Sequence, residues 1–166
     1  AIAIDGANRK WIGTFGSGLF LLCEDGTEEI LRFTTENSPL FSDVINDIVV
    51  DSQTGEVYIA TEEGILSYQG DAQGGELSNE CNKVYPNPVR ETYSGPITVE
   101  GLVRDSDVII TDTRGNLIAS LVSNGGRAVW DGRNTNGERV ATGVYFALVS
   151  DPTGESTCST KILMIK

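Results

Sequence analysis

A repeat of about 46 residues in the first half of the chain most constrains its fold. The stretch WIGTFGSGLFLL, which begins at Trp11, matches YIATEEGILSY, which begins at Tyr58. Gly18 and Gly64 occupy equivalent places in the two copies. Repeats in the mid-forties with about four short strands each are typical of β-propeller blades.

Residues 1–70 are therefore predicted to contain about two blades, the second lacking a fourth strand or receiving it from elsewhere. Apolar runs predict four strands and then three, at 1–5, 10–14, 18–23, 28–34, 44–51, 56–61 and 64–69. Each blade of a propeller buries apolar surface against neighbours on both sides, so two blades alone expose faces and strand edges. We expect this part of the chain to associate with copies of itself through those edges.

Residues 82–166 are predicted to form a second module, an immunoglobulin-like β-sandwich of about seven strands. No segment of the chain has apolar residues at helical spacing over two turns, so the predicted fold class is all-β. The expected strands are 83–85, 97–101, 107–112, 117–122, 128–130, 144–150 and 157–165. Seven short antiparallel strands separated by turn residues are typical of this sandwich. Residues 71–81, rich in glycine and glutamate and without periodicity, are predicted to be a linker.

The net charge of −12 lies entirely in the first half of the chain. Residues 1–81 contain 15 acidic and three basic residues, whereas residues 82–166 contain nine of each. An acidic domain repels a phosphate backbone, so nucleic acid is not expected as a partner. The first residues resemble the second half of a strand, which indicates the carboxy-terminal piece of a longer protein.

The residue content argues against catalysis and against a metal or cofactor site. The chain has no histidine, which removes the common nucleophile pairs and leaves the three cysteines without a zinc pattern. The pairs Glu28–Glu29 and Glu62–Glu63 stand at predicted strand ends and are interpreted as surface charges. The run DGRNTNGE at 131–138 has Arg133 where a calcium loop needs a carboxylate, so it is interpreted as a hairpin connection.

The three cysteines receive separate predictions. Cys23 ends the apolar run LFLLC and is expected to be a small buried residue. Cys81 precedes the first strand of the second module and Cys158 lies in its last strand. A disulfide between these two is one alternative, and the sequence alone leaves it open.

Two sets of residues are candidates for recognition. Arginine binds phosphate and carboxylate through paired hydrogen bonds. The candidate contacts to an anionic glycan are Arg114, Arg127, Arg133 and Arg139. The alternative is that these arginines only balance neighbouring carboxylates on a neutral surface. The last predicted strand is apolar between two lysines, which suits both a protected edge strand and a peptide that another protein reads by strand addition.

Several motifs of the second module resemble the carboxy-terminal sorting domain of the Bacteroidetes type IX secretion system. They are Tyr85-Pro86-Asn87-Pro88, Asp112-Thr113-Arg114-Gly115-Asn116, Gly143-Val144-Tyr145 and the lysine-flanked apolar terminus. The first 70 residues resemble the propeller repeat of large Bacteroidetes surface proteins and sensor ectodomains, through N-S-x-L, W-I-G-T and a following G-L.

The resemblance implies a non-enzymatic protein at the cell surface or outer membrane, exported through the periplasm. Its implied partners are the type IX translocon and a sortase-like attachment complex, with anionic lipopolysaccharide as a candidate ligand. The implied sorting signal comprises Gly143, Val144, Tyr145, Lys161, Ile162, Leu163, Met164, Ile165 and Lys166. Two alternatives remain, the ectodomain of a hybrid two-component sensor and the tail of a secreted glycan-active enzyme.

Overall fold

The computed structural model describes residues 1–81 and 83–165, and its regular structure there consists of β-strands alone. The predicted all-β class is therefore confirmed. The chain divides into two compact units, Ala1–Gly74 and Gly75–Lys166, so that the segment 71–81 is shared between them. Within the described residues no helix is long and apolar enough to span a membrane.

The first unit contains two antiparallel sheets, one for each copy of the sequence repeat. The four-stranded sheet has the order β1-β2-β3-β4 and the three-stranded sheet the order β5-β6-β7. The strands are β1 Ile2–Ile4, β2 Lys10–Gly13, β3 Leu19–Leu22, β4 Glu29–Phe33, β5 Ile45–Val50, β6 Glu56–Thr61 and β7 Gly64–Gln69. All seven lie within one residue of the predicted bounds, and the described residues supply no fourth strand beside β7.

The core of the first unit explains the W-I-G-T sequence of the first copy of the repeat. Trp11 is 1% exposed, and the rings of Phe33 and Tyr68 lie 6.5 and 5.8 Å from its ring. A Cβ atom at Gly13 would lie 2.4 Å from Ile45 Cγ2. Tryptophan thus fills the core, while glycine two positions later allows β2 to pass Ile45 at close range.

The second unit is a two-layer sandwich, as predicted. Its three-stranded sheet has the order β13-β10-β8 and its five-stranded sheet the order β12-β11-β14-β15-β9. The strands are β8 Lys83–Tyr85, β9 Val89–Arg90, β10 Ile97–Glu100, β11 Asp107–Thr111, β12 Leu117–Val122, β13 Arg127–Trp130, β14 Gly143–Ser150 and β15 Thr157–Ile165. The seven predicted strands are present, and β9 is an eighth that the sequence analysis did not predict.

The missed strand β9 is only two residues long and pairs in parallel with the end of β15. Val89 lies opposite Met164 and Arg90 opposite Ile165. Two residues are too few for an alternating apolar pattern, and the prolines at 86 and 88 indicate a turn rather than a strand. Its partner in the sheet lies more than 70 residues away, where local sequence carries no signal.

Trp130 is the largest buried side chain of the sandwich core. It is 1% exposed, its ring lies 5.9 Å from that of Tyr145 on the opposing sheet, and its Nε1 donates a hydrogen bond of 2.9 Å to the carbonyl of Arg133. Other fully buried side chains include Ile97 and Ile110. The two sheets therefore enclose one apolar core with an aromatic pair that spans it.

The structure shows which cysteines are paired and how exposed the third one is. Cys81 and Cys158 form a disulfide that joins the segment before β8 to β15. Cys23 is not the buried residue that was expected, since it follows β3 and is partly exposed. Its thiol donates a hydrogen bond of 2.8 Å to Oδ1 of Asp25 and thereby helps to lower the pKa of Asp25 to about 2. The apolar run ends one residue before the thiol, at the turn.

Candidate functional site

The strand β15 carries most of the predicted sorting signal, and its side chains alternate between two environments. Ile162 and Met164 point into the core and are 0% and 3% exposed. Leu163 and Ile165 point outward and are 39% and 36% exposed, and Lys161 is exposed on the same side. Lys166 lies outside the described residues. One row of this segment thus builds the sandwich, and the other is accessible to a partner.

The predicted signal residues of β14 divide in the same way. Tyr145 is 8% exposed, and its hydroxyl donates a hydrogen bond of 2.9 Å to the carbonyl of Ala141, four residues upstream. This geometry resembles the tyrosine corner of immunoglobulin-like domains, and burial raises the pKa of Tyr145. Val144, which lies opposite Leu163, is half-buried on the outer side. Tyr145 therefore serves the fold, and Val144 contributes to the surface.

The outward row of β15 is part of a larger surface, here called the β14–β15 face and defined by Val144, Phe146, Lys161, Leu163 and Ile165. In the register of the two strands Val144 lies opposite Leu163, and Phe146 lies opposite Lys161. Four of the five side chains are apolar and partly or fully exposed. Among the described residues no carboxylate lies within ion-pair distance of the Lys161 ammonium group.

The motif Tyr85-Pro86-Asn87-Pro88 covers the edge of β15 that does not pair with β14. The Asn87 side chain donates from Nδ2 to the carbonyl of Lys161 at 2.9 Å and accepts at Oδ1 from the amide of Leu163 at 3.0 Å. Both peptide bonds that precede the prolines are cis. In sequence, this motif is identified only through the family resemblance. Its contact with the signal segment has no local signature, because the partners are 74 and 76 residues apart.

The motif Asp112–Asn116 forms the tight turn between β11 and β12. Oδ1 of Asp112 accepts hydrogen bonds from the amides of Arg114 and Asn116 at 2.8 and 2.9 Å, and Gly115 has a φ of 84°. The Asn116 side chain donates to Oδ2 of Asp112 at 2.8 Å and is the main cause of the lowered pKa of Asp112. This motif therefore shapes a hairpin.

Three of the four candidate arginines are exposed. Arg133 and Arg139 face each other across the connection between β13 and β14, where they form an isolated antiparallel bridge. Arg133 donates to the carbonyl of Gly137 at 2.8 Å, and Arg139 donates to that of Tyr93 at 2.7 Å. Arg114 is exposed on the separate β11–β12 turn.

Arg127 does not belong with the exposed arginines. It lies in β13 and is 7% exposed. A surface glycan cannot reach a side chain at this depth, so its assignment as a glycan contact is corrected. From its neighbours in sequence Arg127 was expected in a turn like the others, whereas its backbone already pairs with Glu100 of β10.

No metal site emerges from the part of the chain that the structure describes, since no three acidic or cysteine residues there could hold an ion together. The β14–β15 face itself presents four apolar side chains and the Lys161 ammonium group, and the exposed Arg90 lies opposite Ile165 at its border.

Comparison with known proteins agrees with this picture. The family described as the secretion system C-terminal sorting domain matches residues 83–166. No curated protein matches the sequence. Among solved structures, PorZ is similar with 37% sequence identity and a TM-score of 0.67 over 99% of this chain and 22% of PorZ. PorZ is described as an essential bacterial surface component of the type IX secretion system of Porphyromonas gingivalis.

Two further structures are similar at lower levels. Dimeric latent PorU of Porphyromonas gingivalis is 18% identical with a TM-score of 0.38, over 66% of this chain and 12% of PorU. The extracellular domain of the hybrid two-component system BT3049 of B. thetaiotaomicron is 14% identical with a TM-score of 0.32, over 99% of this chain and 38% of that one. Neither likeness is strong enough to carry an argument.

The fold is a β-propeller segment followed along the chain by an immunoglobulin-like sandwich whose last strand has an exposed outward row. The chain belongs to the family of type IX secretion proteins that carry a C-terminal sorting domain, and it is PorZ-like. It spans about a fifth of PorZ, 22% of that chain.

Proposed function

We propose that this chain is the carboxy-terminal part of a non-enzymatic cell-surface protein of the type IX secretion and attachment machinery. Its sandwich is the sorting signal that the outer-membrane translocon recognises after the protein reaches the periplasm. The observation that supports this most is the sorting-domain match over residues 83–166 together with an accessible outward row on β15. The retained domain then docks with the sortase-like attachment complex.

A fusion experiment tests this function. The whole chain is attached to the carboxy terminus of a fluorescent carrier with a periplasmic signal peptide and expressed in a bacterium with an intact type IX system. We expect the carrier to become accessible to protease on intact cells, whereas the carrier alone remains protected in the periplasm. The same fusion in a strain without the translocon is the second control. Protection of the whole-chain fusion in the intact strain would contradict the proposal.

Anionic lipopolysaccharide is the ligand that we propose for the exposed arginines. Arg133 and Arg139 lie on one hairpin within a module that has no net charge, unlike the acidic first unit. Guanidinium groups held by backbone carbonyls are preoriented for phosphate or carboxylate oxygens. Arg114 is a further contact in this proposal and Arg127 is not.

Titration of anionic lipopolysaccharide against the purified chain checks this ligand. We expect saturable binding that weakens roughly tenfold or more in the double variant Arg133→Ala and Arg139→Ala, because each lost charge-assisted hydrogen bond costs about 1.5–3 kcal/mol. Arg32→Ala removes an exposed arginine of the first unit, about a hundred residues before Arg133 in sequence, and is the matched control. Absence of saturation, or equal affinity in the double variant, rejects the ligand.

A further inference from the structure

Two modes of recognition are open to a protein that reads a β-strand. A partner can add its own strand to a free backbone edge, or it can pack against the side chains on one face. The two modes need different features of β15. The first needs unpaired amide and carbonyl groups along an edge, and the second needs an exposed surface with distinctive side chains.

Neither edge of β15 is free along the signal segment. On one side β14 pairs with it continuously from Gly143–Met164 to Ser150–Thr157. On the other side β9 pairs with Met164 and Ile165 in parallel. On this same side, just before the residues that β9 pairs, the Asn87 side chain hydrogen-bonds the carbonyl of Lys161 and the amide of Leu163.

The Asn87 amide group therefore acts as one further residue of β9. A primary amide presents a donor and an acceptor side by side, as a peptide group does, and here both are used on the strand edge. Val89 anchors β9 in the sandwich core, where its side chain is 1% exposed. Strand addition at 161–165 would first have to displace these contacts.

The β14–β15 face remains accessible and has an unusual composition. Phe146 lies opposite Lys161, Leu163 is the next outward residue of β15 and lies opposite Val144, and Ile165 follows it. Lys161 has no acidic partner among the described residues. Arg90, which is exposed and lies opposite Ile165, adds a second cation at the β9 side of this surface. An exposed apolar surface that contains an unneutralised lysine is suited to a partner that is apolar with a carboxylate at the matching place. This face lies within residues 83–166, which the sorting-domain family matches.

We infer that the translocon receptor packs against the β14–β15 face rather than adding a strand to the edge of β15. It presents an apolar surface with an acidic side chain opposite Lys161. Asn87 is a positioning residue that holds Lys161 and Leu163 in register for this contact. The inference rests on the proposed sorting function and specifies how the signal is read.

The first variant tests the face in the whole-chain fusion. Leu163→Glu keeps the backbone edge and the core row intact but places a charge in the centre of the surface. We expect the surface-displayed fraction to fall roughly tenfold or more, as for a central interface residue. Ile65→Glu makes the same change at a residue of the first unit that is 72% exposed and should display like the unmodified chain. Unchanged display of Leu163→Glu overturns the inference.

The second variant separates the two modes by the sign of its effect. Asn87→Ala frees the carbonyl of Lys161 and the amide of Leu163. If the face is read, the strand end loses its register and display falls. If the edge is read, the newly opened edge keeps display equal to or above that of the unmodified chain, and such a result overturns the inference.

Amide hydrogen exchange shows whether Asn87 acts through position. Exchange at Leu163 should accelerate in Asn87→Ala and stay slow in Asn87→Asp, which keeps the acceptor oxygen for this amide. Near-ultraviolet circular dichroism identifies variants that fold, and only those are compared. A chain whose unmodified fusion is not displayed rejects the proposed function itself, whereas a displayed chain that tolerates Leu163→Glu rejects only the mode of reading.

Discussion

Replacement of both Cys81 and Cys158 by serine is expected to lower the free energy of unfolding of the second unit by about 4 kcal/mol. The bridge closes a loop with a sequence separation of 77 residues, so its removal restores a large conformational entropy to the unfolded chain. Because a small domain is stable by only about 5–15 kcal/mol, this loss should leave the sandwich marginal.

Native-state hydrogen exchange of the β14 amides measures this loss within the second unit. The matched control is Cys23→Ser, which removes the unpaired thiol and keeps the bridge. Thiol titration of the denatured, unreduced chain should find one reactive thiol in the unmodified protein, one in the double serine variant and none in Cys23→Ser. Equal exchange in the double variant and the unmodified chain would contradict the expected stabilisation.

Trp130→Ala is expected to cost about 3–5 kcal/mol of the stability of the sandwich. The change empties the largest buried volume of this core, removes the ring that faces Tyr145 and leaves the carbonyl of Arg133 without the indole donor. Display of the fusion should fall as well, because Ile162 and Met164 hold the signal strand to the same core.

Trp130→Phe is the graded control for this position. Phenylalanine keeps an aromatic ring in the core and loses mainly the hydrogen bond to Arg133, for which about 1 kcal/mol is typical, together with some packing. The exchange of β14 amides should therefore rank the unmodified chain, Trp130→Phe and Trp130→Ala in order of decreasing protection. A Trp130→Ala chain as protected as Trp130→Phe would show that the indole is not central to this core.

The strands were predictable because their signals are local. The match between W-I-G-T at 11–14 and Y-I-A-T at 58–61, together with the short apolar runs, located the blade strands within one residue of their bounds, and turn residues separated the strands of the sandwich. The strand β9 was not predictable, because two residues directly after Pro88 carry no period. Cys23 was misplaced for a related reason, since an apolar run does not show at which residue it leaves the sheet.

The candidate site was predictable as a segment but not as a surface. The sequence indicated the terminal strand, yet it treated Ile162 and Leu163 alike, whereas the sandwich buries one and exposes the other. Which row faces inward depends on the register with β14, and that register is set by tertiary pairing. The burial of Arg127 and the contact of Asn87 with β15 also depend on tertiary structure, because neither is encoded by neighbouring residues.

The disulfide has a consequence for a chain that is cut by a protease. Cys81 and Cys158 bracket nearly the whole second unit in sequence. Hydrolysis of any single peptide bond between them leaves two fragments that are still covalently joined. The residues after position 158 would then remain attached to residues 1–81, so a single cut within this interval cannot release the terminal segment of β15 from the first unit.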